Sequence, residues 1–250
     1  MKYKQFKSGS NYSYLVIDET SKEAITIDPI TPLELIQTVK ENGLKLKYIF
    51  NTHGHYDHTS GNTDVKKATG AALCVHKEER IGADIYPVDN ETFQVGEINV
   101  QIIHTPGHTP GGISIIVNNE LFFCGDTIFL AGCGNCNFGG DVKTTYETFS
   151  NRLSNLPDHL KVLCGHNYFD INMPFSLSLF SSNEELKKKN IEVQASNSEP
   201  LSTMGEEKSY NPFLNFNNPA LQKDVANKTG KNLSLGFELF REVRSLKDRG

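Results

Sequence analysis

The chain has 250 residues, with 25 Lys and Arg against 30 Asp and Glu and a net charge of −5. That length accommodates one large domain, or one domain with an appendage, and a core that needs no disulfides. The acidic balance and the lack of a basic stripe argue against a nucleic-acid partner. Five irregularly spaced cysteines argue against a disulfide framework.

The N-terminal segment MKYKQFKSGSNYSYLVID alternates polar and apolar residues and lacks the apolar core of a secretory signal. No run approaches the roughly 18 apolar residues of a membrane span. A cytoplasmic protein without a membrane partner is expected. Alternation predicts strands at 12–17 and 23–28. Thr31 and Pro32 open a helix as N-cap and first helical residue, Leu35, Ile36 and Val39 form its apolar face, and Gly43 ends it.

A short strand at 47–50 leads straight into the polar cluster 51–58. Further strands are expected at 71–75, 92–95 and 98–104. Asn118-Asn119 makes a hairpin turn between 113–117 and 121–124. An amphipathic helix is predicted at 144–156 and a strand from Val162. After about residue 172 the texture changes: 184–192 is helical and charged, 194–210 polar and loop-like, and 219–228 and 233–247 helical. The expected architecture is an α/β domain over residues 1–172 and a small helical domain over 173–250.

The chemistry concentrates in Thr52-His53-Gly54-His55-Tyr56-Asp57-His58. On extended backbone, residues two apart face the same way, so His53 and His55 can converge on one ion while Asp57 and His58 turn toward a second. Three more candidates follow strand-like segments: His108 in TPGHTPGG, Asp126 in FCGDT and His166 in CGHNY. Each has a flanking glycine, which permits close backbone approach. Loops at strand ends are where a rigid sheet positions a site. His76, His104 and His159 lack such a setting and are expected to be structural or surface residues.

These motifs resemble the metallo-β-lactamase superfamily and, within it, the glyoxalase II (hydroxyacylglutathione hydrolase) family. The resemblance extends over nearly the whole chain, including EEKSYNPF at 206–213 and RSLKD at 244–248. It implies an α/β fold, the αββα sandwich followed by a helical C-terminal domain.

Carried over residue by residue, it implies that His53, His55 and His108 hold one metal, that Asp57, His58 and His166 hold the other, and that Asp126 bridges them. Two divalent ions are implied, zinc first, with iron or manganese also compatible with His and carboxylate ligands. Such a pair activates water for attack on a thioester carbonyl. Asp57 is the implied catalytic residue, a ligand that also orients the nucleophile.

The implied reaction is hydrolysis of S-2-hydroxyacylglutathione, such as S-lactoylglutathione, to glutathione and a 2-hydroxy acid in methylglyoxal detoxification. The partner is then a small-molecule thioester, and the protein a monomer or small homo-oligomer. Tyr168, Arg244 and Lys247 match residues that grip glutathione. Arg244 and Lys247 lie three apart and so share a helix face; as a bare helix terminus they read as a solvated basic end.

The chain departs from the family at Asn135 and Asn137, where Lys and Tyr are usual, and at Asn167, where Glu is usual. A thioesterase for another thiol carrier is therefore an alternative reading. So is an iron-dependent, persulfide dioxygenase-like oxidoreductase. Cys133 and Cys136 form a C-x-x-C with no second pair to complete a zinc site, and are read as loop-packing residues.

Overall fold

A computed structural model describes residues 1–249. It divides into two compact units, the first comprising 1–105, 109–126 and 163–166, the second 106–108, 127–162 and 167 onward.

The first unit opens with a five-stranded sheet of order β1-β2-β3-β4-β5. Its strands are β1 (Lys2–Ser8), β2 (Asn11–Ile17), β3 (Glu23–Ile27), β4 (Lys45–Phe50) and β5 (Ala72–Cys74). The helices α1 (Pro32–Glu41), α2 (Tyr56–Thr59) and α3 (Asn62–Thr69) fall in the connections around β4. β1 to β3 pair antiparallel, and β3, β4 and β5 run parallel.

A second sheet follows from β6 (Thr92–Val95), β7 (Ile98–His104), β8 (Ile113–Val117) and β9 (Leu121–Gly125), all antiparallel. Asn118 and Asn119 make the β8–β9 turn, with φ of 50° and 52°. Positive φ at a turn position is tolerated by Asn better than by most residues other than Gly.

Both faces of the first sheet are buried, and the period of two in β2 shows how. Tyr12, Tyr14 and Val16 join Ile25, Ile27, Phe50, Ile102, Ile115 and Phe123 in one apolar cluster between the sheets. Leu15 and Ile17 join Leu35, Val39, Leu46, Ile49 and Val65 in another, on the side of α1 and α3. Strands buried on both faces read as near-continuous apolar runs, as 113–117 and 121–124 do. Thr31 precedes α1 as expected, but its side chain makes no capping bond; Pro32 at the first position sets the helix start.

The second unit begins with the hairpin β10 (Ile128–Phe129) and β11 (Gly132–Cys133). The helix expected at 144–156 is α4 (Val142–Asn151), capped by Asp141 and followed by a 3₁₀ turn. β12 (Lys161–Cys164) pairs at its start with Ser202–Thr203, which forms β13. Its last residues, Leu163 and Cys164, belong to the first unit, where the Tyr14 hydroxyl donates to the Cys164 carbonyl at 2.7 Å.

The remaining helices are α5 (Phe169–Leu179), α6 (Glu184–Ala195), α7 (Met204–Tyr210), α8 (Pro219–Thr229) and α9 (Phe237–Arg249). Their core is aromatic: Phe149, Phe213 and Tyr146 all pack on Phe240 at centroid distances of 5.5 to 5.6 Å. Among the described residues no helix is long and apolar enough to cross a membrane.

One expectation is corrected. The tail of 194–210 is not loop: α7 starts at Met204 under a full capping box, in which Thr203 bonds the Glu206 amide and the Glu206 carboxylate bonds back. The polar composition of that segment serves the cap and a buried network. α5 carries no clear periodic signal in the sequence, because Pro174 lies inside it and the helix is apolar on several sides. A proline there removes only one intrahelical donor, and surrounding packing outweighs it.

Candidate metal centre

The polar cluster lies where β4 ends. Asn51 and Thr52 leave the strand, His53 and His55 stay on irregular backbone, and α2 then brings Asp57 and His58 round within one turn. The ring nitrogens His53 Nε2 and His55 Nδ1 are 3.0 Å apart. His58 Nε2 lies 3.1 Å from His166 Nε2, 3.5 Å from Asp126 Oδ1 and 3.9 Å from Asp57 Oδ2. His166 Nε2 in turn lies 3.3 Å from Asp126 Oδ2 and 3.5 Å from Asp57 Oδ2. Asp126 and His166 are buried beside His53 and His58, whereas Asp57 is half-exposed.

Glycine keeps this centre open. A Cβ on Gly165 would stand 2.4 Å from Asp126 Oδ1 and 2.6 Å from His58 Cε1. Gly125, beside Asp126, takes φ of +49°, and a Cβ there would meet Thr52 Oγ1 at 2.3 Å. Both positions therefore demand the residue without a side chain.

Electrostatics sets the protonation of the cluster. Burial disfavours a charged His58, but Asp126, Asp28 and Asp57 outweigh it and raise its pKa to about 9. Burial likewise raises Asp126, yet His58, His166 and His53 together hold it well below the ordinary carboxylate range. Asp57 is lowered as well: burial opposes, and the Asn11 amide, His58 and His166 prevail. Ionised carboxylates thus face the His58 ring across the centre.

The donor set fits a divalent cation. Bonds of about 2.0–2.2 Å at tetrahedral angles place the donors on one ion roughly 3.3 Å apart, the spacing of this cluster. Imidazole and carboxylate together suit zinc, iron or manganese.

Residues outside the expected set hold the ligands in place. Asp28, at φ of +49°, accepts from Thr52 N at 2.8 Å and the Thr52 hydroxyl at 2.6 Å. Its Oδ2 also faces His58 Nδ1 at 3.0 Å, which puts the His58 proton on that nitrogen and turns Nε2 toward the centre. Asn11 donates to Asp57 Oδ2 at 3.0 Å and to the Asp57 carbonyl at 3.1 Å. No local motif marks Asp28 or Asn11. The only sequence hint is that each is a polar residue at the edge of a strand.

His108 belongs to the second unit and is buried. Its Nδ1 faces the Asn135 carbonyl at 2.7 Å, so Nδ1 carries the proton and Nε2 is left as an acceptor. His76 and His104, set aside in the sequence, stack on each other at 4.3 Å.

The family described as "Metallo-beta-lactamase superfamily" matches residues 8–166, and "Hydroxyacylglutathione hydrolase C-terminus" matches 167–250. The chain is similar to the "Hydroxyacylglutathione hydrolase cytoplasmic" of Arabidopsis thaliana, with 33% identity over 96% of this chain and 95% of that protein. The chain belongs to the hydroxyacylglutathione hydrolase family. A second relative, the hydroxyacylglutathione hydrolase of Nitrosococcus oceani, is 36% identical over 84% of this chain and 83% of its own. Among solved structures, ETHE1 from Myxococcus xanthus superposes with a TM-score of 0.69 at 24% identity over the full length of both chains, a likeness of fold alone. The fold is the metallo-β-lactamase αββα sandwich with a helical C-terminal region.

In the second unit of this hydroxyacylglutathione hydrolase family member, an open pocket of about 310 Å³ collects Tyr168, Arg244 and Lys247 with Phe129, Cys133, Asn135, Asn137 and Asp248. Arg244 is not the solvated charge that a basic helix end suggests. It is 3% exposed, donates through Nη1 to the carbonyls of Cys133 and Gly134, and pairs through Nη2 with Asp248 Oδ1 at 2.8 Å.

Lys247 is half-buried, its ammonium 3.3 Å from the Ile171 carbonyl and 4.7 Å over the Phe175 ring. Burial, then Arg244, lowers its pKa. Cys133 is buried and packs against Arg244, and burial pushes its thiol up to about 12. The Asn167 amide donates to Glu199 at 3.0 Å.

Proposed function

We propose that this protein hydrolyses S-2-hydroxyacylglutathione thioesters, S-lactoylglutathione foremost, to glutathione and a 2-hydroxy acid. The observation that carries the reading is the convergence of His58, His166, Asp57 and Asp126 donors within 4 Å. The family's C-terminal match supports the choice of substrate, and it disfavours the oxidoreductase alternative. In this reading His53, His55 and His108 hold one divalent cation, Asp57, His58 and His166 hold the other, and Asp126 serves both, with zinc as the native metal.

When bound, such a pair supplies Lewis-acid activation of water and of the thioester carbonyl. Asp57, steadied by Asn11, orients the attacking water from the half-exposed side of the centre. Asp28 keeps His58 in one tautomer, so its Nε2 stays a ligand rather than a donor. The thiolate leaves readily, and the buried carboxylates and imidazoles need supply no strong acid.

Residues 1–172 carry the chemistry and 173–250 the recognition of the thiol carrier. Lys247 of the latter faces a carboxylate of the carrier and Tyr168, from the end of the former, packs beside it, while Arg244 shapes the loop at 133–134. The name of the plant relative supports a cytoplasmic setting.

The test is a thioester panel with zinc-replete protein: lactoylglutathione, other acyl-glutathiones and acyl-coenzyme A, read by thiol release. Lactoylglutathione should turn over best. Preference for a non-glutathione thioester by tenfold or more in kcat/KM would reassign the carrier, and no thiol release from any would overturn the reading.

A further inference from the structure

Glu79 is a carboxylate that neither the ligand set nor the carrier pocket uses. It ends a short 3₁₀ turn, Lys77–Glu79, whose start is held by His76 Nδ1 accepting the Glu78 amide and by the stacking of His76 on His104. From this turn the carboxylate reaches two separate segments. Oε2 accepts the Gly54 N–H at 2.6 Å, and Oε1 accepts the Thr109 hydroxyl at 2.5 Å. Gly54 stands between His53 and His55, and Thr109 directly follows His108.

Two glycines of these motifs make room for it. A Cβ on Gly54 would lie 2.7 Å from Glu79 Oε2, and one on Gly111 would lie 2.7 Å from the Glu79 amide and 2.9 Å from its Cγ and Oε1. Thr109 is 3% exposed, so its hydroxyl has no solvent to turn to. A carboxylate accepting two donors at these lengths makes charge-assisted bonds, about twice as strong as neutral ones. His104 adds a second hold on the same loop through Nε2 and the Pro110 carbonyl at 3.1 Å.

From this geometry we infer that Glu79 is a positioning residue that clamps the His53–His55 segment to the segment following His108 and so fixes the three histidines read above as the ligands of one metal. The inference rests on that reading. Glu79 acts through the backbone of one segment and the side chain of the other.

The experiment compares wild type, Glu79→Ala, Glu79→Gln and the exposed neighbour Glu78→Ala, each stripped and reloaded with zinc. Zinc affinity is measured by competition with a chromophoric chelator, beside kcat and KM for lactoylglutathione. Glu79→Ala should weaken one of two zinc sites roughly 10- to 100-fold, the cost typical of losing an outer-shell partner. Its kcat should fall, recover in part with excess zinc, and leave KM unchanged. Glu79→Gln, which still accepts the Gly54 N–H, should recover part of the affinity, and Glu78→Ala should match wild type.

Thr109→Val removes one arm alone. It should weaken the same site, and should add less in the Glu79→Ala background than by itself. Wild-type zinc affinity and kcat in Glu79→Ala would overturn the inference; if that variant does not fold, unchanged affinity in Thr109→Val would do so. A wild-type protein that binds no zinc would instead sink the functional reading on which the inference rests.

Discussion

At the scale of single residues, the centre depends on what is missing as much as on what is there. Gly165 is the clearest case, since a methyl group at its Cβ would press on both Asp126 and His58. Gly165→Ala should therefore displace two ligands by a few tenths of an ångström or more while adding one buried methyl to the fold. A misplacement approaching 1 Å costs on the order of 100-fold in rate. We expect kcat for lactoylglutathione to fall by about that factor and bound zinc to drop, with the metal-free melting temperature nearly unchanged. Full zinc content with wild-type kcat would show that the cleft beside Asp126 is not the reacting centre.

Single residues also show the limits of local pattern. His53, His55, Asp57 and His58 are legible because they crowd into one short segment with a spacing that suits strand and turn. Asp28 and Asn11 are not, because each meets its partner across the sheet, Asp28 reaching His58 over 30 positions and Asn11 reaching Asp57 over 46. Glu79 likewise stands 25 positions from Gly54 and 30 from Thr109.

At the scale of elements, α7 holds the β10–β11 turn and α9 holds the chain where β11 ends. Glu207 on α7 is fully buried. Its Oε2 accepts the Ala131 amide at 3.0 Å and the Asn211 amide at 2.8 Å, and its Oε1 accepts the Tyr210 hydroxyl at 2.9 Å. Burial raises its pKa from 4.5 to about 7 against those donors.

The folded state therefore takes up a proton that the unfolded chain has already released above pH 4.5. Stability from this group is complete below about 4.5 and lost as pH rises through about 7. Glu207→Gln stays neutral, so its unfolding free energy from urea titration, relative to wild type, should climb between pH 5 and pH 8, by about 3 kcal/mol at most. A difference that does not change with pH would refute the buried-acid account.

On α9, neighbours on one face have different work. Lys247 is half-buried and lines the pocket, so Lys247→Ala should raise KM for a glutathione thioester roughly 5- to 30-fold, about 1–2 kcal/mol, with kcat little changed. The effect should shrink at high salt. Arg244→Ala should instead release the 133–134 carbonyls and Asp248, and lower unfolding stability by about 1–3 kcal/mol. Steady-state kinetics at two ionic strengths and urea unfolding separate the two outcomes. An Arg244→Ala protein with wild-type stability would restore Arg244 as a free carrier-binding charge.

At the scale of the whole molecule, metal binding and folding are coupled, since the ligands come from chain segments as far apart as His58 and His166. A ligand at 100 times its dissociation constant stabilises the folded state by about 2.7 kcal/mol. For a chain of this size that amounts to roughly 5–10 °C in Tm. Stripping the protein with a chelator should lower Tm by that order, and zinc should restore it with a titration endpoint near two ions per chain. A reproducible endpoint of one ion with full activity would defeat the dinuclear reading.

The strands β2 to β9, the first helix, the asparagine hairpin and the crowded ligand segment are determined by the sequence itself, because period, cap and turn preferences act over a few neighbouring residues. The burial of Arg244, the helix across Pro174, the capped α7 and the clamps by Asp28 and Glu79 are decided only by tertiary structure. Each of these depends on groups distant in the chain meeting in space. There a buried polar atom finds its partner and an unfavourable local propensity is overridden by packing, and neither event leaves a periodic trace in the sequence.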